Sequence, residues 1–216
     1  MFKRVPGIIV YRSDYKFEPF YPQLLLMDKR QNTEIEFELL NKVASGDEEA
    51  FKQLYERINE GLFFFICRFL KDKERVEDIQ VEVFTEVWRS AKKFKGNSKV
   101  KTWIFGIARN LALNELRRNK RHLNTDDFPY PSDDNPSDSE LIDKDKKVMI
   151  KNGLLKISVK HQEILDLVFF HEMNYQEVSE VLNISINTVK TRVFYAKDAL
   201  RKTLKRMGMD KNELYS

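Results

Sequence analysis

Charge and aromatic rings coincide in one stretch of this chain. Between Lys92 and Arg121 ten Lys and Arg stand against a single acid, Glu115, with Trp103 and Phe105 among them. Cations at that density attract phosphates, and a ring at their border can stack on an unpaired base for roughly 1–3 kcal/mol per base. Cations that only solubilise are ordinarily interleaved with acids, and here they are not. A second basic block, Asn187 to Arg206, carries seven Lys and Arg against Asp198, while His122 to Glu140 between them holds six acids and no Lys or Arg. The formal net charge of +4 conceals this pattern of two basic blocks around an acidic one.

Bond-making chemistry finds little footing. There is no phosphate-binding glycine loop, "HEMNY" at His171 lacks the second His of a zinc-protease helix, and one Cys with three scattered His makes no metal set. Glu77 and Asp78 are adjacent on a helix, so they point to different sides and make a solvated surface rather than an acid–base pair. A nucleic-acid-binding protein with no enzymatic activity, metal or cofactor is expected.

The elements that must position these residues are helical. Only 7 Gly and 6 Pro in 216 residues, with 33% charged side chains, suit helices far better than turn-rich sheets. The length allows one core or two small ones. The expected architecture is all-α: two small helical domains joined by a flexible acidic linker, the second a helix-turn-helix. The boundaries read as an extension over 1–32, a first domain over 33–121, a linker rich in Pro, Asp and Ser over 122–140, a second domain over 141–208 and a tail over 209–216. Translation from Met27 rather than Met1 is an open alternative, since "MDKRQNTEIEFELL" is an ordinary polar lead into a first helix. The lone Cys67 sits among apolar neighbours as a buried, reduced thiol. Apolar runs fall short of the roughly 20 residues needed to span a membrane, and "GIIVY" is too short for a signal peptide, so a cytoplasmic location without membrane insertion is expected.

In the first domain, Phe51, Leu54, Tyr55 and Ile58, then Val76, Ile79, Val83 and Val87, recur at helical spacing, and Asp47 offers an N-cap. Three helices precede the basic stretch. On a helical wheel, Ile104, Ile107, Ala108, Leu111, Ala112 and Leu116 share one face. Arg109, Asn110, Arg117 and Lys120 share the other, with Trp103 and Arg121 at its border. A solvated basic face and a core role for Trp103 are the plain alternatives to DNA binding.

In the second domain a helix from Tyr175 to Leu182 is interrupted by "NIS", and a longer one follows from about Asn187. Ser185 can cap it, and Asn183 can take the left-handed turn. Val189, Val193, Ala196, Leu200 and Leu204 make its inner stripe, facing Val178, Val181, Leu182 and Ile184. That is a helix-turn-helix in form. Its outward residues Asn187, Thr188, Lys190, Thr191, Phe194 and Tyr195 are candidates for base edges, with Lys190 suited to guanine and Phe194 to a thymine methyl or sugar. Arg192, Lys197, Arg201 and Lys202 lie where phosphate contacts would hold register.

With both halves read, the chain from about Phe37 to Leu204 resembles an extracytoplasmic-function sigma factor, the compact two-domain class of bacterial initiation factor. "ERVEDIQVEVFTEVWRSAKKFKGNSKVKTWIFGIARNLALNELRRNKR" is similar to the family's polymerase-binding helix and promoter-melting segment, and "NYQEVSEVLNISINTVKTRVFYAKDALRKTL" to its minus-35-reading motif. The resemblance implies that Glu77, Asp78, Glu82, Val83 and Phe84 dock on core RNA polymerase. It implies that Asn97, Ser98, Lys101, Thr102 and Trp103 border a pocket for flipped minus-10 bases, and that Arg109, Asn110, Arg117 and Arg118 line the adjoining promoter DNA path. Lys190, Thr191, Phe194 and Tyr195 would enter the minus-35 major groove. It also implies an inhibitory anti-sigma partner, membrane-tethered in the family's usual form.

Some positions depart from the family pattern. Gln80 comes two residues after Asp78 rather than three, with Val81 in the usual place of Gln. Ser179 replaces a usual Ala, Asn183 and Asn187 a common Gly, and Tyr195 a frequent Arg, the last bearing on promoter preference. The competing reading is a helix-turn-helix regulator that does not act as an initiation factor. Binding to core polymerase discriminates the two.

Overall fold

The computed structural model describes residues 29–123 and 143–209, and within them every regular element is helical. Residues 1–28 of the expected extension, with the alternative start at Met27, the stretch 124–142 that includes most of the expected linker, and the tail from 210 lie outside the described residues, while residues 29–32, expected in the extension, are already helical.

The N-terminal unit is built from α1 (Lys29–Ala44), α2 (Glu48–Ile66), α3 (Lys73–Ser90) and α4 (Val100–Leu123). Local chemistry sets where they start. Asp47, in extended conformation, accepts from the Ala50 amide at 2.9 Å to open α2, and Asp72 accepts from the Glu74 amide at 3.0 Å to open α3. Gly46 turns the chain between α1 and α2 at φ +94°, a conformation other residues adopt only with strain. The helices pack because their apolar residues return every three or four positions. Phe51, Leu54, Ile58, Leu62 and Phe65 of α2 meet Val76, Ile79, Val83 and Val87 of α3, and α4 inserts Ile104, Phe105, Ala108 and Ala112, all buried.

The C-terminal unit comprises α5 (Asp143–Leu155), α6 (Val159–Leu165), a single π-helical turn (Asp166–Phe170), α7 (Tyr175–Leu182) and α8 (Ile186–Arg206). Asn174 and Glu177 form a reciprocal capping box at the start of α7. Asn183 ends α7 at φ 52°, ψ 52°, and Ser185 opens α8 by accepting from the Thr188 amide at 3.1 Å. These three local devices fix the angle of the helix-turn-helix. Val189, Val193, Ala196 and Leu204 of α8 are buried, with Leu200 partly so, against Val178, Val181 and Leu182 of α7 and Ile164 of α6. A Cβ on Gly153 would come within 2.6 Å of Leu204 Cδ2, so α5 approaches α8 closely there.

The two units do not stand apart. α7 lies on α4, and the ring of His171, just past the π turn, is held 4.4 Å from Phe105 of α4 and 6.2 Å from Phe65 of α2. Phe105 is thereby a core residue beneath the seam rather than a partner of Trp103 on the basic face.

Candidate nucleic-acid interface

The outer face of α8 presents the side chains expected to read bases. Asn187, Lys190, Thr191, Phe194 and Tyr195 are exposed and Thr188 is half-exposed. Phe194 and Tyr195 reach 69% and 58% exposure, high for large rings, and pack edge-on against each other with centroids 5.5 Å apart. Thr188 shares a 2.8 Å hydrogen bond with Ser185, and Thr191 donates to the Asn187 carbonyl at 3.0 Å, so neither hydroxyl dangles. No acid occupies the first turn of α8, whose free amides and dipole favour an approaching phosphate. Lys197 lies over the Phe169 ring at 4.9 Å, and Arg201 and Lys202 both pair with Asp198, at 2.7 and 2.8 Å. Those two pairs hold the Asp198 carboxyl below its ordinary range.

The second surface is α4 with the loop before it. Trp103 is half-buried on Phe94, centroids 5.1 Å apart, and Phe94 rests in turn on Phe37 at 6.3 Å. Asn97, Asn110, Arg117 and Arg118 are exposed and Ser98 half-exposed. Arg121 falls in the last turn of α4, beyond the residues whose side chains are described. Thr102 departs from expectation. At 3% exposure it points into the packing under α4, because it lies one residue to the core side of Trp103, and it cannot border a base pocket.

Two cations of α4 have partners that the sequence reading did not anticipate. Arg109 donates from Nε to Glu163 Oε1 at 2.6 Å, and Lys101 reaches the His171 carbonyl at 3.4 Å. Burial depresses the Lys101 ammonium, opposed by Glu36, Glu172 and Glu177. Burial also raises the Glu163 carboxyl, with Arg109 pulling the other way. Alongside, Asp166 accepts from Arg68 at 3.1 Å and lies 3.3 Å from His171 Nε2. Burial alone would raise Asp166, but His171 and Arg68 bring it below the ordinary value. His171, enclosed by protein, is held below its own.

The expected polymerase-docking surface on α3 needs a correction. Asp78 and Glu82 are exposed and Glu77 half-exposed, with Asp78 3.2 Å from Arg75 and Glu77 3.9 Å from Lys73. Val83 and Phe84 are fully buried instead, Phe84 against Tyr55 at 4.7 Å and Phe51 at 6.2 Å. The same period that carries the acids outward turns these two inward, so they support the surface from beneath. Gln80, the displaced glutamine, donates to the Asn59 carbonyl of α2 at 2.6 Å.

Glu115 was read as the lone acid of a basic strip. In the structure it is 5% exposed and accepts from Arg75 at 2.8 Å while pairing with Arg118 at 2.6 Å, tying α4 to α3. The Glu163, Asp166 and Glu177 set was missed entirely. Its one signal is that Glu163 and Asp166 sit at i, i+3 within the otherwise apolar "EILDLVFF". Cys67 is half-buried rather than fully buried as expected, and its partial burial pushes the thiol up to about 12. Among the described residues no cluster of His, Cys, Asp or Glu could hold a metal ion, and no helix is long and apolar enough to cross a membrane.

Two protein-family models match the chain in order: Sigma-70 region 2 over residues 54–122 and Sigma-70 region 4 over 153–202. Among curated proteins, the ECF RNA polymerase sigma factor SigX of Bacillus subtilis is 30% identical over 165 residues, covering 72% of this chain and 84% of that protein. SigW of the same organism is 26% identical, covering 77% of this chain and 95% of its own length. The sigma-H factor of Pseudomonas aeruginosa is 27% identical, covering 77% and 92%. Among solved structures, CnrH in complex with the cytosolic domain of CnrY superposes with a TM-score of 0.60 at 20% identity, over 80% of this chain and 98% of that one. RpoE in complex with the anti-sigma factor NepR, from Bartonella quintana, gives 0.60 at 23%, over 72% and 96%. At those identities the likeness speaks for the fold.

Proposed function

Since the chain belongs to the extracytoplasmic-function family of RNA polymerase sigma factors and thereby directs promoter-specific transcription initiation on core RNA polymerase, we propose how its surfaces divide that work. The C-terminal unit reads the duplex minus-35 element. The first turn of α8 enters the major groove, Asn187, Lys190, Thr191, Phe194 and Tyr195 meet base edges and methyls, and Arg192 and Lys197 hold phosphates. In the N-terminal unit Trp103, flanked by Asn97, Ser98 and Lys101, receives separated minus-10 bases. Arg109, Asn110, Arg117 and Arg118 guide the strand beside it. The acidic outer face of α3, through Glu77, Asp78 and Glu82, docks on the polymerase.

The factor positions DNA for chemistry that the polymerase performs, so it acts without being an enzyme, and it does so in the cytoplasm. The solved relatives CnrH and RpoE occur in complexes with CnrY and with the anti-sigma factor NepR. By that precedent this chain too is restrained by an anti-sigma partner, membrane-tethered in the family's usual form.

The observation that carries the division of labour is the exposed face of α8: two large rings and a lysine held outward immediately after a capped, acid-free helix start. It is tested by transcription in vitro with core polymerase and genomic fragments from the host, sequencing transcript 5′ ends. Discrete starts sharing two upstream elements are expected, with the upstream element altered by changes on α8. DNA binding without new starts would favour a plain regulator.

A further inference from the structure

Two consecutive residues of α1 reach the loop that leads into α4. That loop, residues 94–99, joins the single 3-10 turn Ala91–Lys93 to α4 and carries Asn97 and Ser98. Phe37 meets its near end. The Phe37 ring lies 6.3 Å from that of Phe94, which lies 5.1 Å from Trp103, so three rings run in series from α1 to the base platform on α4. Gly96 stands at φ +70°, a conformation that suits glycine, and a Cβ placed there would be 3.5 Å from Phe37 Cε2, so the ring lies directly against the loop backbone. Glu36 meets the far end. It is half-buried, and burial raises its carboxyl, opposed by the Lys101 ammonium, the Lys101 amide and then Arg57 and Lys99. Consecutive helix positions point about 100° apart, so one turn of α1 touches the loop from two sides.

Core formation does not account for Phe37. Its ring keeps 43% of its surface open, whereas Leu39, Leu40 and Val43 carry the buried side of α1. We propose that Phe37, with Glu36 beside it, is a positioning residue for the minus-10 pocket, acting through Phe94 and Gly96 to hold Asn97, Ser98 and the Trp103 ring in the arrangement that accepts an unpaired base. The inference rests on reading α4 and its loop as the minus-10 surface. A base captured between a ring and a short loop keeps its full stacking energy only when the loop is already in place, because ordering the loop on binding is subtracted from the affinity. Side chains that touch the base are held by a second set that does not, and α1 supplies that set here.

Two measurements on the full chain test the assignment. In a Trp88→Phe background Trp103 is the only tryptophan, and acrylamide quenching of the free protein reports how firmly its ring is held. Phe37→Ala should raise the quenching constant, Phe37→Tyr should leave it near the reference, and Phe37→Leu, which keeps apolar bulk and loses the flat ring, should fall between. In holoenzyme, affinity for single-stranded minus-10 oligonucleotides carrying each of the four bases in turn at one position reads the pocket. Phe37→Ala should shrink the preference for the favoured base roughly fivefold, as when a smaller fraction of a site is in its competent state, and Phe37→Tyr should recover most of it. Core-polymerase affinity and minus-35 duplex binding should not change. A purely structural role would lower the melting temperature and leave the base preference intact. Unchanged quenching in Phe37→Ala, or an intact preference in Phe37→Ala where Trp103→Ala loses it, would overturn the inference alone. Intact preference in both variants would overturn it together with the minus-10 reading. The quenching result needs neither DNA nor polymerase, so it stands apart from that reading.

Discussion

Trp103→Ala separates two jobs that one side chain performs. The ring is half-buried and tilted 43° against Phe94 at a centroid distance of 5.1 Å. Removing it forfeits an aromatic pair worth about 0.5–1.5 kcal/mol beyond area burial, which appears as a modest fall in melting temperature. It also removes the platform for an unpaired base, worth about 1–3 kcal/mol. At 1.4 kcal/mol per decade the second loss lowers the open-complex equilibrium by about 5- to 150-fold. Trp103→Phe keeps a ring on Phe94 with a smaller face, so it should recover most of the stability and only part of the opening. The assay is permanganate reactivity of unpaired thymines in the minus-10 region at saturating holoenzyme. Core-polymerase affinity, measured with a labelled factor, serves as control, since the docking acids lie on α3. Wild-type opening by the alanine variant at equal occupancy would refute the role and leave Trp103 a packing residue.

Three further outcomes are expected. Lys190→Ala should lose roughly 1–3 kcal/mol of discrimination at one upstream base pair; a uniform loss across sequences would make Lys190 a phosphate contact. Phe84→Ala should destabilise the N-terminal unit by about 3–5 kcal/mol because the ring is fully buried, whereas lost polymerase binding at unchanged stability would return it to the docking surface. Acidification should weaken the fold through His171. Its ring faces Asp166 from its own turn, Arg68 from beyond the end of α2 and Lys101 from α4, and burial depresses its value. A depressed base binds its proton more tightly when unfolded, so this stability is present above the ordinary value of 6.5 and is lost as pH falls below it. Melting temperature should therefore drop from pH 7 toward 5 in wild type and less so in His171→Gln. That variant retains the opposite slope of Glu36 and Glu163, whose carboxyls burial raises, so that each contributes stability below the ordinary 4.5 that is lost as pH rises. Parallel curves for the two proteins would rule His171 out.

The helix-turn-helix was legible in the amino acids because its determinants are local. Ser185 and Asn183 act on amides within a few residues, the stripe of Val189, Val193 and Ala196 is a matter of helical period, and the residues left over must face outward. The same locality made Asp47 readable as a cap and α4 readable as two-faced. The family resemblance, by contrast, gives Val83, Phe84 and Thr102 to binding surfaces although the helical period already sets Val83 on the inner stripe, and the structure buries all three. The seam between the units lay beyond sequence reading for a stronger reason. Arg109 and Glu163 are 54 positions apart, and Arg68 and Asp166 are 98 apart. A charge pair at such separation leaves no period or spacing in the chain. The sequence by itself determined the helical class, the helix-turn-helix with its caps, and which residues are candidates for touching DNA. Tertiary packing alone decided which of those cations are already occupied, because that depends on how two separately encoded surfaces come into register.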